Sequence, residues 1–129
     1  MICGIGTDIV NVNRLEKGSD FLSRFVRRCL SETEQLSMQR RAITDMQSQI
    51  MYVAKRFAAK EAVAKALGTG FRDGIYLSDI EIISDELGKP FAELKGNALK
   101  RAKQYGIKKV HLSLSDDYPF VSAMAVAEG

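Results

Sequence analysis

From Ile2 to Val10 apolar and polar positions alternate with a period of two, and Ile2, Gly4, Gly6, Asp8 and Val10 fall on one face of the strand this predicts. The two glycines would leave open space beside Asp8. Between Arg14 and about Leu30 the spacing turns helical, broken at Gly18-Ser19-Asp20, where Ser19 or Asp20 would cap a second helix. Ser31-Glu32-Thr33-Glu34 has the form of a capping box, so another helix begins there. Gln47 to Leu67 contains neither proline nor glycine and predicts one long helix, closed by Gly68. Ile75 to Ile83 reads as a strand, Asp85 to Pro90 as a turn, and Phe91 to Leu94 as the short partner strand. Asn97 to Tyr105 is a short helix stopped by Gly106. Ile107 to Ser115 alternates, with Val110, Leu112 and Leu114 on one face and His111, Ser113 and Ser115 on the other. Asp116-Asp117-Tyr118-Pro119 would turn the chain into a last strand, Phe120 to Ala127. The class is α+β: antiparallel strands and hairpins packed with one long central helix.

No repeat, low-complexity tract or linker divides the 129 residues, which read as a single domain over 1–129. The net charge of +3 suits an anionic partner without requiring nucleic acid. Cys3 and Cys29 are too few for a disulfide framework and lack metal-ligand spacing, which favours reduced, cytosolic thiols. The opening MICGIGTDIV is short, has no basic residue ahead of it and is interrupted by Asp8, so it does not read as a signal peptide. No run approaches the roughly 18 to 20 apolar residues that would span a bilayer. A soluble, cytoplasmic protein with no membrane segment is expected.

Composition changes the picture most in the long helix. Ala59, Ala62, Val63 and Ala66 form one apolar stripe, while Glu61 and Lys65 lie on another face among Ile50, Ala54, Phe57 and Ala58. An i,i+4 Glu61-Lys65 pair on a solvated surface would need no function and contributes only a few tenths of a kcal/mol. Asp8 could likewise do no more than cap a turn. If the first strand lies against this helix, however, two carboxylates and a lysine converge, as needed to hold magnesium on a phosphate ester.

Four segments, GIGTDIV at 4–10, RFAAKEAVAKALGTG at 56–70, LGKP at 87–90 and HLSLS at 111–115, together resemble the bacterial holo-acyl-carrier-protein synthases over nearly the whole chain. These are small 4'-phosphopantetheinyl transferases. The resemblance implies magnesium-dependent transfer of 4'-phosphopantetheine from coenzyme A to a serine of apo-acyl carrier protein, in support of fatty acid biosynthesis. On that basis Asp8 and Glu61 match the metal ligands, and Lys65 the lysine that meets the phosphates. The resemblance leaves the serine's base open between Glu61, directly or through water, and Asp8. Arg56, Lys60, Gly68, Thr69, Gly70 and His111 fall where the family contacts coenzyme A, Lys60 in a supporting part because the helix wheel turns it away from Glu61.

Arg14, Arg24, Arg27 and Arg28, with Phe21 and Phe25 among them, could be only a solvated helix face. The resemblance makes Arg14, Phe21, Arg24, Phe25 and Arg28 the site for the acidic carrier protein. It further implies a homotrimer with active sites between subunits. Two departures limit it. Asp116 stands where many relatives have a histidine, and Arg40 and Arg41 lie too far from RFAAKE to inherit a phosphate contact. A magnesium-dependent nuclease and a non-catalytic module for an acidic protein are the rival readings, though K-E-x-x-x-K is not the spacing of an E-x-K nuclease core.

Overall fold

The computed structural model describes every residue except Asp73. Three antiparallel strands, β1 (Ile2–Asn11), β5 (Phe120–Glu128) and β4 (Lys109–Asp117), form one sheet in the order β1-β5-β4, and β2 (Ile80–Ser84) and β3 (Pro90–Leu94) form a separate hairpin. The helices are α1 (Ser19–Cys29), α2 (Glu32–Arg40), α3 (Met46–Ala66) and α4 (Gly96–Gln104), with 3-10 turns at Val12–Leu15 and Leu77–Asp79. Asp45 caps α3, its carboxylate accepting the Ser48 N–H at 2.9 Å. Gly68, at φ +87°, follows the last turn.

The long helix is buried on nearly all sides, with the sheet on one flank and α1, α2 and the hairpin on others. That explains its weak amphipathicity: a central helix needs no single apolar stripe. Its contact with the sheet is backbone against backbone. A Cβ on Gly4 would strike the Ala66 carbonyl, and one on Gly6 the Ala62 carbonyl, with the Ala66 nitrogen at 2.8 Å and Lys65 Cβ at 2.9 Å. The space expected beside Asp8 is therefore not open; α3 fills it. Small residues Ala123, Ala125 and Ala127 on β5 continue the same close-packed layer.

Several predicted boundaries shift. Neither Ser19 nor Asp20 caps α1, whose first residue is Ser19 and whose N-cap is Gly18 at φ +94°, without a side-chain bond. The strand expected from Ile75 begins only at Ile80, because the Asp79 carboxylate accepts the Tyr76 N–H at 3.2 Å and holds Leu77–Asp79 in a 3-10 turn. Asp116 and Asp117 pair with Val121 and Phe120, so β4 runs through them and only Tyr118 and Pro119 make the turn. The capping box is present as expected: Ser31 Oγ accepts from Glu34 N at 3.2 Å and Glu34 Oε1 accepts from Ser31 N at 2.9 Å.

Candidate active site

Because Gly4 and Gly6 press β1 onto α3, the next residue of the same strand parity, Asp8, meets the end of that helix. Lys65 Nζ donates to the Thr7 carbonyl at 2.8 Å and to Asp8 Oδ1 at 3.2 Å. Glu61, one turn earlier on α3, is half-buried. Burial raises the proton affinity of its carboxyl, the nearby Asp8 charge raises it further, and Lys65 partly offsets both. Two carboxylates and a lysine thus share one electrostatic environment, as the first strand and the long helix imply.

Glu61 opens into a cleft of about 650 Å³ that is also lined by Phe25, Arg28, Phe57 and Phe71. The cleft joins the acids to α1. Phe21 and Phe25 stack with ring centroids 6.1 Å apart, and Phe25 meets Phe57 edge-on at 5.3 Å. Both rings are half-buried, while Arg14, Arg24, Arg27 and Arg28 are exposed. Arg27 is committed to Ser23 on its own helix, at 2.9 Å. Positions 21, 24, 25 and 28 form one helical stripe, a basic rim with aromatic anchors that ends at the Glu61 cleft.

The remaining expected residues do not gather at this cleft. Gly68, Thr69 and Gly70 lie just past Lys65, with Gly70 N–H bonded to the Ala64 carbonyl at 3.1 Å. His111 leaves the sheet on the opposite side: its β5 partner is Val126, which pairs with Ile5, whereas Asp8 lies in the row of Ala123 and Leu114. It pairs there with Glu128, Nε2 to Oε1 at 3.0 Å. One chain therefore cannot bring His111 and Asp8 to a common face. The outer face that carries His111 also exposes Ile5 (69%), Ile9 (64%) and Met124 (51%), an apolar surface suited to a partner.

Lys60 requires a correction. It is fully buried, and Nζ donates to Glu34 Oε1 at 2.6 Å, the Ile80 carbonyl at 2.6 Å and the Leu77 carbonyl at 2.9 Å. All three N–H groups are used, leaving none for coenzyme A. Lys60 instead ties α3 to α2 and to the start of β2.

Arg56 is 6% exposed, with its guanidinium 3.7 Å above the Tyr52 ring and its buried Nε without a hydrogen-bond partner. Burial lowers its pKa from the ordinary value; Tyr52 and Glu34 counter this, and Arg41 adds to it. Arg41 is the residue that sequence reasoning left out. It faces the same Tyr52 ring at 5.9 Å and lines the same two pockets as Arg56. Two guanidinium groups gathered over one ring in the same pockets have the charge and donor geometry that suit an anionic ligand. The pocket includes Gly88 and Pro90 of the LGKP turn and Ser115.

Among the described residues no three His, Cys, Asp or Glu side chains cluster as a metal cage. Asp8 and Glu61 alone suit an ion that takes hard oxygen donors and draws its remaining ligands from water and substrate. Burial first, and then the Asp8 charge, raise the proton affinity of Glu61, and a dication would relieve both by supplying positive charge to the two acids.

Comparison with known proteins agrees with this geometry. Residues 4–122 match the 4'-phosphopantetheinyl transferase superfamily. The holo-[acyl-carrier-protein] synthase of Halorhodospira halophila is 43% identical over 127 residues, covering 98% of this chain and 97% of that protein. The crystal structure of the Neisseria meningitidis holo-[acyl-carrier-protein] synthase superposes with a TM-score of 0.86 at 43% identity, covering 100% of both chains. The Bacillus anthracis synthase, in complex with CoA (3',5'-ADP), gives a TM-score of 0.80 at 36% identity, covering 100% of this chain and 98% of that one. Matched over residues 4–122 and 43% identical to relatives across nearly its whole length, the chain belongs to the 4'-phosphopantetheinyl transferase superfamily.

Proposed function

We propose that the protein is a holo-[acyl-carrier-protein] synthase, moving 4'-phosphopantetheine from coenzyme A to a serine of apo-acyl carrier protein in support of fatty acid biosynthesis. The observation that carries this reading is the coupling of Asp8, Glu61 and Lys65 beside a cleft walled by α1. The serine oxygen bonds to the phosphorus bearing the pantetheine arm. The bond from that phosphorus to the pyrophosphate bridging oxygen breaks, and adenosine 3',5'-bisphosphate leaves with the oxygen. Glu61, its proton affinity raised, accepts the hydroxyl proton through an intervening water. Lys65 opposes the negative charge that grows on the departing phosphate. Asp8 and Glu61 would hold magnesium, which when bound supplies Lewis-acid polarisation of the pyrophosphate.

Arg56, Gly68, Thr69, Gly70 and His111 would hold coenzyme A, and the gathering of Arg56 with Arg41 in one pocket supports that role for Arg56. Since His111 lies on the face opposite Asp8 within one chain, it would serve the acids of a neighbouring copy. This supports a homotrimer with sites between subunits, sealed by the exposed Ile5, Ile9 and Met124 face. The exposed Arg14, Arg24 and Arg28, with Phe21 and Phe25, would dock the acidic carrier so that its serine enters the Glu61 cleft. A single-domain cytoplasmic enzyme is part of this reading, and the free thiols of Cys3 and Cys29 fit a reducing compartment.

Incubating the protein with coenzyme A, magnesium and apo-carrier tests the whole reading by mass spectrometry. The carrier gains one phosphopantetheine mass, and Glu61→Gln abolishes the gain. An unmodified carrier with wild-type protein would return the nuclease reading to first place. Arg14→Ala with Arg24→Ala raises KM for the carrier more than it lowers kcat; a collapse of kcat at unchanged KM refutes the docking surface.

A further inference from the structure

We propose that the Lys55–Asp116 ion pair sets the affinity for a phosphate-bearing nucleotide, with Asp116 as a counter-charge built into the Arg41–Arg56 pocket. The inference rests on the coenzyme A reading above and adds two residues to it. Because β4 continues to Asp117, Asp116 keeps the parity of Leu112 and Leu114 and points toward α3. There its Oδ2 lies 2.7 Å from Lys55 Nζ, with each side chain 40% exposed. Both residues line the pocket of about 370 Å³ into which Arg41 and Arg56 open.

The charges in that pocket are Arg41, Lys55 and Arg56 against Asp116 alone, three cations and one carboxylate, leaving two positive charges. Glu34, the acid of the adjoining pocket, is already committed to Lys60, Ser31 and Ile82. Among the described residues neither Arg41 nor Arg56 is ion-paired, so the pocket has cations to spare for an anionic ligand. A phosphate is such a ligand and enters against the Asp116 charge. Coenzyme A and the adenosine 3',5'-bisphosphate that leaves carry the same nucleotide phosphates. A pocket that gripped them harder would also release product more slowly. Asp116 holds the grip below what the three cations alone would give.

Affinity should then follow the pocket's formal charge. Calorimetric titration of adenosine 3',5'-bisphosphate into wild type, Asp116→Asn, Lys55→Met and the double variant tests this directly, with adenosine as a ligand lacking phosphate. The expected result is a roughly three- to five-fold tighter Kd for Asp116→Asn, the scale of a half-exposed ion pair, and a similar weakening for Lys55→Met. The double variant returns to within about two-fold of wild type, the steps shrink at about 0.5 M salt, and adenosine is unaffected. Weaker binding by Asp116→Asn, or equal shifts for adenosine, would overturn the counter-charge role. If the wild-type protein binds no adenosine 3',5'-bisphosphate, the coenzyme A reading fails and this inference fails with it. Thermal melts of each variant separate these outcomes from a loss of fold.

Discussion

Replacing Lys60 with methionine keeps an unbranched apolar stem, shorter by the terminal nitrogen, and removes one buried charge. In the native protein the ammonium is fully enclosed and bonds Glu34 and two backbone carbonyls at 2.6 to 2.9 Å. Lys60→Met would leave the Glu34 carboxylate buried at 2% exposure, hydrogen-bonded by the Ser31 and Ile82 N–H groups at 2.9 and 3.0 Å and with the Arg56 guanidinium as a remaining nearby cation, but without its direct ion-pair partner. Breaking such a pair from one side costs about 3–5 kcal/mol, much of a typical total stability of about 5–15 kcal/mol. At about 2.1 cal/mol/K per residue, the 129 residues unfold with an entropy of about 0.27 kcal/mol/K, so Tm falls by about 11–18 °C. Lys60→Met with Glu34→Gln, which removes both charges, should recover part of the loss. The assay is urea unfolding followed by circular dichroism, with coenzyme A titration at a temperature where every variant is folded. A drop below about 1 kcal/mol, with coenzyme A affinity lost instead, would restore Lys60 as a ligand contact and refute its role as a tie between α3, α2 and β2.

Other perturbations test neighbouring parts of the structure. Gly6→Ala drives a methyl into the Ala62 carbonyl and should cost about 1–3 kcal/mol by denaturant melt, as overpacking does, while a wild-type midpoint would refute the backbone contact. Burial pushes the Cys29 thiol up to about 12, leaving roughly one part in ten thousand as thiolate at about pH 8. Iodoacetamide should therefore label exposed Cys3 alone in the native protein and both cysteines in denaturant, and double labelling of the native form would contradict the packing. For Glu81, burial pushes the carboxyl up, but the Lys95 ammonium and the Ser31 hydroxyl outweigh it and hold the folded pKa below the ordinary 4.5. That stabilisation is present above about pH 4.5 and is lost as pH falls through the folded value, so Glu81→Gln should flatten the acid limb of the stability curve; an unchanged limb would exclude it.

Strand parity and helical spacing are local rules, so Asp8, Glu61 and Lys65 could be placed on their faces, but their meeting was legible only on the condition that strand and helix touch; Gly4 and Gly6 read as open space, whereas they are where the two backbones press together. The capping box at Ser31 and the unbroken helix ending before Gly68 were legible because they too follow local rules. The role of Lys60 was not. Its partner Glu34 lies 26 residues earlier, and a wheel drawn on α3 alone cannot show that the helix is enclosed on its polar side as well. Glu34 was visible only as a capping residue, though the same carboxylate also receives Lys60 and the Ile82 N–H. Arg41 was passed over because sequence distance from RFAAKE hid the Tyr52 ring that both arginines share. The late start of β2 turns on a single side-chain bond from Asp79, a feature that apolar spacing over Ile75 to Ile83 does not encode.

His111 and Asp8 leave one sheet in opposite directions, and a chain that cannot unite them alone need not be judged alone. If the proposed sites lie between subunits, copies lacking Glu61 and copies lacking His111, each impaired when pure, would regain turnover when co-assembled, since some junctions would then join an intact half from each. Genetic complementation between two impaired alleles is thus a property the alternating pleat of β4 predicts, and a strictly self-contained catalyst would never display it.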